Sequence, residues 1–273
     1  MSYFRKLIAY RDLMFDKGSL KNPVNDFIWS LPIEKCGDKD LDWMIKNLSA
    51  NFQKLYGCTI NLLQIQNFYL NNKDQNYLDL MTLCTNSIEY FFLKINTIFE
   101  ICYQIYVRLC GQNKMMGKSK HDHLEMEFES YRQETGCEIE FDWYAPINAV
   151  RNRIAHGGFS IKSFLSEGFL LFQAYDRNLD EKIRDDFGYL VQGGSLVYVD
   201  LYSTFFVSKT HRYIWQFLSF VIDRLIGAGS RCQELNIFEL QQKKAAGVLC
   251  YGYEEIFIST TEQLGKRGRR SAC

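Results

Sequence analysis

Apolar residues recur along this chain with the spacing of long helices. Between residues 38 and 71 they are spaced by three or four positions, with one spacing of seven, which places them on one face of a helix. Between residues 88 and 110 the same face returns every seven residues, as in neighbouring helices of a bundle. The apolar positions are Leu41, Ile45, Leu48, Phe52, Leu55 and Leu62 in the first segment and Ile88, Phe91, Ile95, Ile98, Cys102, Ile105 and Leu109 in the second. With a polar turn at residues 71–74 between them, the two helices are expected to pack as antiparallel neighbours.

Residues 88–110 are apolar enough to raise the question of a membrane span. Polar and charged residues interrupt them, mostly on the face away from the seven-residue repeat: Glu89, Asn96, Glu100, Gln104 and Arg108. A second stripe, which is aromatic, widens the apolar face: Phe92, Phe99, Tyr103 and Tyr106. Such a stripe is more often core than a ligand site. The pattern therefore predicts a helix buried in protein, and no membrane partner is expected.

Two shorter helices are predicted next. The first covers residues 122–134 and ends at Gly136. Its inward positions are Leu124, Phe128 and Tyr131. The second begins near Pro146, which suits a first helical turn, and ends at Gly157 and Gly158, which suit a left-handed stop.

After residue 158 the periodicity changes from helical to alternating. Alternation predicts three antiparallel strands, over residues 168–175, 187–192 and 195–202. Gly193 and Gly194 lie between the last two strands and are typical of a tight hairpin turn. A final bundle helix is then expected to begin at Ser208 or Thr210 and to end at Gly227.

The predicted fold class is mainly α, a helical bundle with a small antiparallel β insertion. We expect an N-terminal helical arm over residues 1–37, the bundle over 38–228 with its insertion at about 168–204, and a C-terminal extension over 229–273. The extension ends in a basic tail that contains Lys266, Arg267, Arg269 and Arg270. These side chains are candidate contacts for RNA phosphates, whereas a solvated, disordered tail is the commoner state of such a composition.

Charge and cysteine content narrow the classes of function. Lys and Arg together number 32, as do Asp and Glu, so a contact with nucleic acid has to come from a local patch. Nine cysteines without a Cys-x-x-Cys pair are typical of reduced core residues. No small-residue cleavage site follows the first apolar stretch, so no signal peptide is expected and the protein is predicted to be cytoplasmic. No glycine-rich phosphate loop indicates hydrolysis of nucleoside triphosphates.

Two of the four histidines, His121 and His123, are close in sequence. With Asp122 and Glu125 they offer half of a metal site. The alternative is a polar beginning to the helix over residues 122–134, which needs no ligand. We adopt the second interpretation and predict neither a metal nor another cofactor.

The residues with the clearest chemical use lie near the end of the helix that begins at Pro146. At about 100° per residue, one side of this helix is apolar and a neighbouring side is polar. The apolar stripe consists of Ile147, Val150 and Ile154. The neighbouring side, here called the polar arc, consists of Arg151, Ala155, Asn148, Asn152 and His156. Arg153 lies outside the polar arc, and His156 lies in the last turn, beside the free backbone carbonyls of the helix end.

The segment RNRIAH, residues 151–156, resembles the motif of the HEPN superfamily. In that motif an Arg is followed by a polar residue, usually Asn, Asp or His, and a His comes four to six positions on. A string of this form is expected about 0.03 times by chance in a chain of this composition. The rest of the chain resembles bacterial HEPN families without an assigned activity, and only loosely. The resemblance implies a HEPN-like helical bundle, a homodimer and a metal-independent ribonuclease of the toxin or defence type.

Imidazole and guanidinium groups suit the cleavage of RNA by its own 2′-hydroxyl. A His transfers protons near neutral pH, and an Arg binds phosphate oxygens more strongly as negative charge develops on phosphorus. The resemblance implies a composite site from two protomers, with 2′,3′-cyclic phosphate and 5′-hydroxyl product ends. It assigns the phosphate contact to Arg151, the orientation of the phosphate or the His to Asn152, and proton transfer to His156.

Other functions stay open from the residues alone. The same face would also serve a non-catalytic HEPN-like module for dimerisation or for binding RNA or a ligand, with an antitoxin or regulatory protein as partner. A metal-dependent hydrolase that uses His121 and His123 is a weaker alternative. No element of the sequence indicates which RNA would be cut.

Overall fold

The computed structural model describes residues 38–71, 77–110, 119–156, 158, 160–166, 169–173, 191–192 and 196–227. Of these residues 81% are helical, which confirms a mainly α fold. The helices are α1, Lys39–Asn71; α2, Tyr77–Cys110; α3, Lys120–Thr135; α4, Tyr144–His156; and α5, Val199–Gly227. Several predictions fall outside the described residues: the arm over 1–37, the turn after Asn71, and the C-terminal extension with Lys266, Arg267, Arg269 and Arg270.

Helices α1 and α2 pack side by side and antiparallel, as predicted. Near one end, Arg108 of α2 donates from Nε to Asp38 Oδ2, 2.6 Å away, beside the beginning of α1. Further along, Cys58 of α1 donates from Sγ to the carbonyl oxygen of Ser87 at 2.9 Å. All residues of the two predicted apolar faces are buried, as is the predicted aromatic stripe. They belong to one continuous core.

Helix α2 keeps its polar interruptions on the outside, with one exception. Gln104 and Arg108 are exposed, and Glu89 and Glu100 are half-buried, but Asn96 is only 8% exposed. In the part of the chain that the structure describes, no helix has an apolar stretch sufficient to cross a bilayer.

Helix α3 ends where its sequence predicts but begins slightly earlier, at Lys120 rather than Asp122. Ser119 caps it, because the hydroxyl oxygen accepts a hydrogen bond from the amide of Asp122 at 3.1 Å. Gly136 ends it in the left-handed conformation, with φ 72°. The predicted inward residues are all buried: Leu124, Phe128 and Tyr131. They pack towards α5, where the hydroxyl of Tyr131 donates to Asp223.

Helix α5 begins earlier than predicted, and this corrects two predictions. Neither Ser208 nor Thr210 caps it, since the helix already begins at Val199 and the hydroxyl of Thr210 donates to the carbonyl four residues before it. The strand predicted over 195–202 is therefore wrong from Val199 onwards. The predicted end at Gly227 is confirmed. Buried aromatic residues at helical spacing explain the early beginning, because they face the core only on a helix: Tyr202, Phe206, Tyr213 and Phe217.

A small antiparallel sheet lies between α4 and α5, as predicted. Its strands are β1, Ser163–Ser166; β2, Phe169–Gln173; β3, Val191–Gln192; and β4, Leu196–Tyr198. They are hydrogen-bonded in the order β1-β2-β4-β3, with Phe172 opposite Val197 and Gln192 opposite Leu196. Strand β1 was not predicted, and the turn at residues 193–194 lies outside the described residues. Phe172 packs the sheet against the bundle, because its ring meets that of Phe92 edge-on, with the ring centroids 6.1 Å apart.

Candidate functional site

The helix that carries the RNRIAH segment is α4, and its N-terminal end is held firmly against α2. A turn precedes it, in which the amide of Tyr144 donates to the carbonyl of Phe141 at 2.9 Å. The hydroxyl of Tyr144 then donates to Asn96 Oδ1 at 2.7 Å, and its ring stacks on Phe99 with centroids 4.2 Å apart. Burial raises the pKa of Tyr144, so the phenol stays a proton donor to Asn96.

The apolar stripe of α4 faces the core as predicted. Ile147 and Val150 are 0% and 1% exposed, and Ile154 is partly buried against the same core. The helix ends at His156, and Gly158 adopts a positive φ of 62°. The predicted helix, its stripe and the stop at Gly158 are therefore confirmed, whereas Gly157 lies outside the described residues. The neighbouring side of α4 faces away from the core.

The polar arc lies on the outer side of α4. Asn152, Ala155 and His156 are exposed, whereas Arg151 is half-buried. Arg151 donates from Nη1 to Asn152 Oδ1 at 2.7 Å, so the structure brings these two side chains together. The Nε of Arg151 is buried and has no hydrogen-bond partner among the described residues. One hydrogen bond thus orients the guanidinium, and the buried Nε is not accessible to a ligand at the surface.

His156 has a different environment from Arg151. It is the last residue of α4, and its imidazole is exposed. Among the described residues the imidazole has no hydrogen bond or ion pair, so nothing there competes with a substrate for its nitrogen atoms. One protomer supplies a single imidazole to the polar arc.

The structure separates the two histidines of the metal hypothesis. His123 is 3% exposed and its Nδ1 lies 3.3 Å from the hydroxyl of Tyr103, inside the core. His121 instead stacks on Phe141, with centroids 4.5 Å apart. Ligand atoms of His121, Asp122 and Glu125 lie within 4.8 Å of one another, so this trio, and not the His121–His123 pair, is the group that could approach a cation.

Position weakens that trio as a metal site. All three residues belong to the first turns of α3, where the positive end of the helix dipole opposes a cation. A single helix also supplies all the ligands, so a bound ion would connect no other element. The interpretation as a polar beginning of the helix accounts for these residues without a ligand.

Thiols of the described residues are further candidates for a nucleophile. Cys137 is exposed, so the prediction that it is a core residue is wrong. Cys58, Cys84 and Cys102 are buried, as expected of core cysteines. Burial raises the pKa of Cys58 and of Cys84 to about 12, so both remain protonated at neutral pH. The three buried thiols are therefore packing residues of the core.

One positioning residue of the site escaped the sequence prediction. Asn96 was placed among polar interruptions of an outward face, but it is buried and accepts the hydrogen bond from Tyr144. Its signal was an amide inside the most regular apolar repeat of the chain. The polar arc itself is where the sequence predicted it, on the exposed side of α4. Compared with protein-family models, with curated proteins and with solved structures, the chain matches none.

Proposed function

We propose that the chain is a metal-independent endoribonuclease of the toxin or defence type. The observation that carries the proposal is the polar arc of α4, where Arg151 is oriented by Asn152 and His156 is exposed in the last turn. The combination supplies an anion contact and a proton-transfer group to one surface. The HEPN-like motif is the reason to assign phosphate chemistry to that surface.

The reaction needs two proton transfers on opposite sides of the phosphorus. The 2′-oxygen attacks phosphorus as its proton passes to a base, and the bond from phosphorus to the 5′-oxygen breaks as an acid protonates that oxygen. His156 of one protomer takes one role and the partner subunit's His156 takes the other. Arg151 stabilises the additional negative charge on the equatorial oxygens, and Asn152 holds Arg151 in place. The products carry 2′,3′-cyclic phosphate and 5′-hydroxyl ends.

A homodimer across α4 supplies the second imidazole. Ala155, exposed in the middle of the polar arc, leaves room for another helix to approach closely. The burial of Ile147 and Val150 leaves the polar side of α4 as the side on which a second copy would dock. An isologous interface places the two copies of His156 on either side of a shared groove.

The test is cleavage of total RNA by the purified protein, with excess EDTA present. We expect cleavage to persist, with cyclic phosphate and 5′-hydroxyl ends on the products, and expression to be toxic to the host cell. If EDTA abolishes the activity and zinc or manganese restores it, the catalytic site would instead be a metal site at the trio of His121, Asp122 and Glu125.

The alternative function is a non-catalytic HEPN-like module for dimerisation or for RNA or ligand binding. The observation that favours it is the single imidazole that each protomer presents, since binding requires no second proton-transfer group. RNA that binds at the polar arc without being cut would establish this alternative, and an antitoxin or regulatory protein would then be the expected occupant of the groove.

A further inference from the structure

The exposed face of α2 beside α4 carries a second group of residues, separate from the polar arc. Tyr144 fastens α4 to α2 at Asn96, and after α4 the chain returns to α2 where the amide of Ile161 donates to Glu89 Oε1 at 3.2 Å. Helix α4 therefore lies alongside the part of α2 between Glu89 and Asn96. Arg151 follows Tyr144 by two helical turns and so lies on the same side of α4, towards α2.

In that interval α2 exposes two large side chains, Tyr90 at 38% and Leu93 at 36%. At about 100° per residue, Leu93 lies roughly 60° around α2 from Asn96, and Tyr90 lies roughly 60° beyond Leu93. Lys94 comes next, with Nζ 4.9 Å from the centre of the Tyr90 ring. Leu93, Tyr90 and Lys94 thus form a stripe that extends from α4 across α2 towards α1.

Two lysines meet at the far end of this stripe. Lys94 donates from Nζ to Asn51 Oδ1 of α1 at 2.9 Å, and the exposed Lys54 follows Asn51 by one turn. The pKa of Lys94 is lowered, chiefly because the ammonium group is partly desolvated and also because the charge of Lys54 is close. In the described part of the chain, no carboxylate pairs with Lys54 or Lys94.

The acidic groups of this face are engaged elsewhere. Glu89 accepts from the amide of Ile161, and Glu100 pairs with Lys120. Two positive charges that no carboxylate of the described residues neutralises, beside an exposed aromatic ring, suit a polyanion with flat bases. In a chain whose basic and acidic residues balance at 32 each, RNA has to be held by a local group of this kind.

We propose that Tyr90, Leu93, Lys94 and Lys54, the tyrosine–lysine patch, bind the single-stranded RNA that enters the polar arc. Tyr90 stacks on a base, Leu93 packs against the same base, and the two lysines contact phosphates on the far side of α2. The bound strand crosses one helix, a width of about 10–12 Å, before it reaches Arg151. This inference rests on the proposed function, since it names the surface that delivers the substrate.

The experiment measures binding of a fluorescent single-stranded RNA by anisotropy over a series of salt concentrations. Every nucleotide carries a 2′-O-methyl group, so the RNA cannot be cleaved. The variants are Tyr90→Ala and the double variant Lys54→Ala with Lys94→Gln, which keeps a donor for Asn51. Lys46→Ala is the matched control, because Asp42 already neutralises Lys46 on the same helix at 2.6 Å.

We expect Tyr90→Ala to weaken binding at least about fivefold through lost stacking. The double lysine variant should lower the slope of log affinity against log salt by about 1.4, since each phosphate contact contributes about 0.7. In cleavage assays both should raise KM and leave kcat unchanged. Lys46→Ala should behave as wild type in all three measurements.

The outcomes separate this inference from the proposed function. One outcome is that wild type binds RNA, that Arg151→Ala weakens this binding and that the patch variants bind as tightly as wild type. In that case the tyrosine–lysine patch is wrong and the ribonuclease proposal stands. Equal weakening by Lys46→Ala would mean diffuse electrostatic binding and would also overturn the patch. A wild-type protein that neither binds nor cuts RNA overturns both.

Discussion

At the scale of the residue, the polar arc combines an Arg151 side chain that is held by a hydrogen bond with a His156 side chain that is exposed. Arg151 is half-buried and bonded to Asn152, so it loses little conformational freedom when it binds a phosphate. His156 is exposed at the helix end, where it can reach a substrate or a second protomer. The two side chains are therefore suited to different steps, binding and proton transfer.

Replacing His156 is the most direct test of this division. General acid–base catalysis contributes about 10²–10⁴-fold, so His156→Ala should lower the RNA cleavage rate at least about 100-fold. Arg151→Ala should act similarly through lost stabilisation of the phosphorane. His156 and Asn152 are exposed, so circular dichroism should report an unchanged fold for His156→Ala.

Arg153 provides the control, because it is an arginine of the same helix that lies outside the polar arc. Arg153→Ala should leave the cleavage rate within a few-fold of wild type. If all three variants cleave RNA as fast as wild type does, the motif is not catalytic and the binding module is favoured.

The hydrogen bond between Tyr144 and Asn96 makes a separate prediction about stability. Tyr144→Phe leaves the buried Asn96 oxygen without its donor, which should cost about 1–3 kcal/mol of unfolding free energy in urea titrations. Adding Asn96→Leu to that variant should recover part of the loss, because neither partner then remains unsatisfied. A Tyr144→Phe protein as stable as wild type would mean that this bond does not hold α4 in place.

At the scale of the element, α1 depends on a cap that is also an ion pair. Asp38 precedes the helix, and its Oδ1 accepts from the amides of Asp40 and Leu41, both at 3.1 Å. The hydrogen bond from Arg108 is the main reason why the pKa of Asp38 is lowered. One carboxylate thereby caps α1 and joins it to the end of α2.

These two roles of Asp38 can be separated by mutation and pH. At neutral pH, Asp38→Ala should lower the free energy of unfolding by about 1 kcal/mol through the lost cap, whereas Asp38→Asn keeps an acceptor for the cap and loses the charge. Because the folded pKa is lowered, the charged contribution is present above the ordinary value of 3.8 and is lost as pH falls through the folded pKa.

Urea titrations of wild type and Asp38→Asn should therefore converge in acid. The control is Asp42→Asn, whose exposed pair with Lys46 should contribute little at any pH. A difference between wild type and Asp38→Asn that is independent of pH would contradict the electrostatic part of this prediction.

At the scale of the whole molecule, the composite site requires two copies of the chain. We expect a homodimer at micromolar concentration by multi-angle light scattering. Ala155→Arg, which places a bulky charge in the exposed centre of the polar arc, should convert it to a monomer without unfolding it. A monomeric wild type would refute the composite mechanism, and a dimer that survives Ala155→Arg would place the interface elsewhere.

Much of this architecture is local in origin and could be predicted from the sequence. The seven-residue repeat of α2, Gly136 at the end of α3 and the two-sided pattern of α4 each depend on neighbours within a few turns. The RNRIAH segment occupies a helix end, so its exposed side follows from the same periodicity that buries Ile147 and Val150.

The sequence by itself determined the helices, the side of α4 that carries Arg151 and His156, and the glycine stops, because a periodic apolar face can be buried in only one orientation. Tertiary structure decided the rest. Residues 199–202 alternate as a strand does, yet they are helical because Tyr202 and Phe206 reach the core only on one helical face. His123 joins Tyr103 rather than His121, and Asn96 turns inward to Tyr144, because their partners come from helices distant in sequence. Contacts of that kind have no local pattern, so only the packing of one helix against another could reveal them.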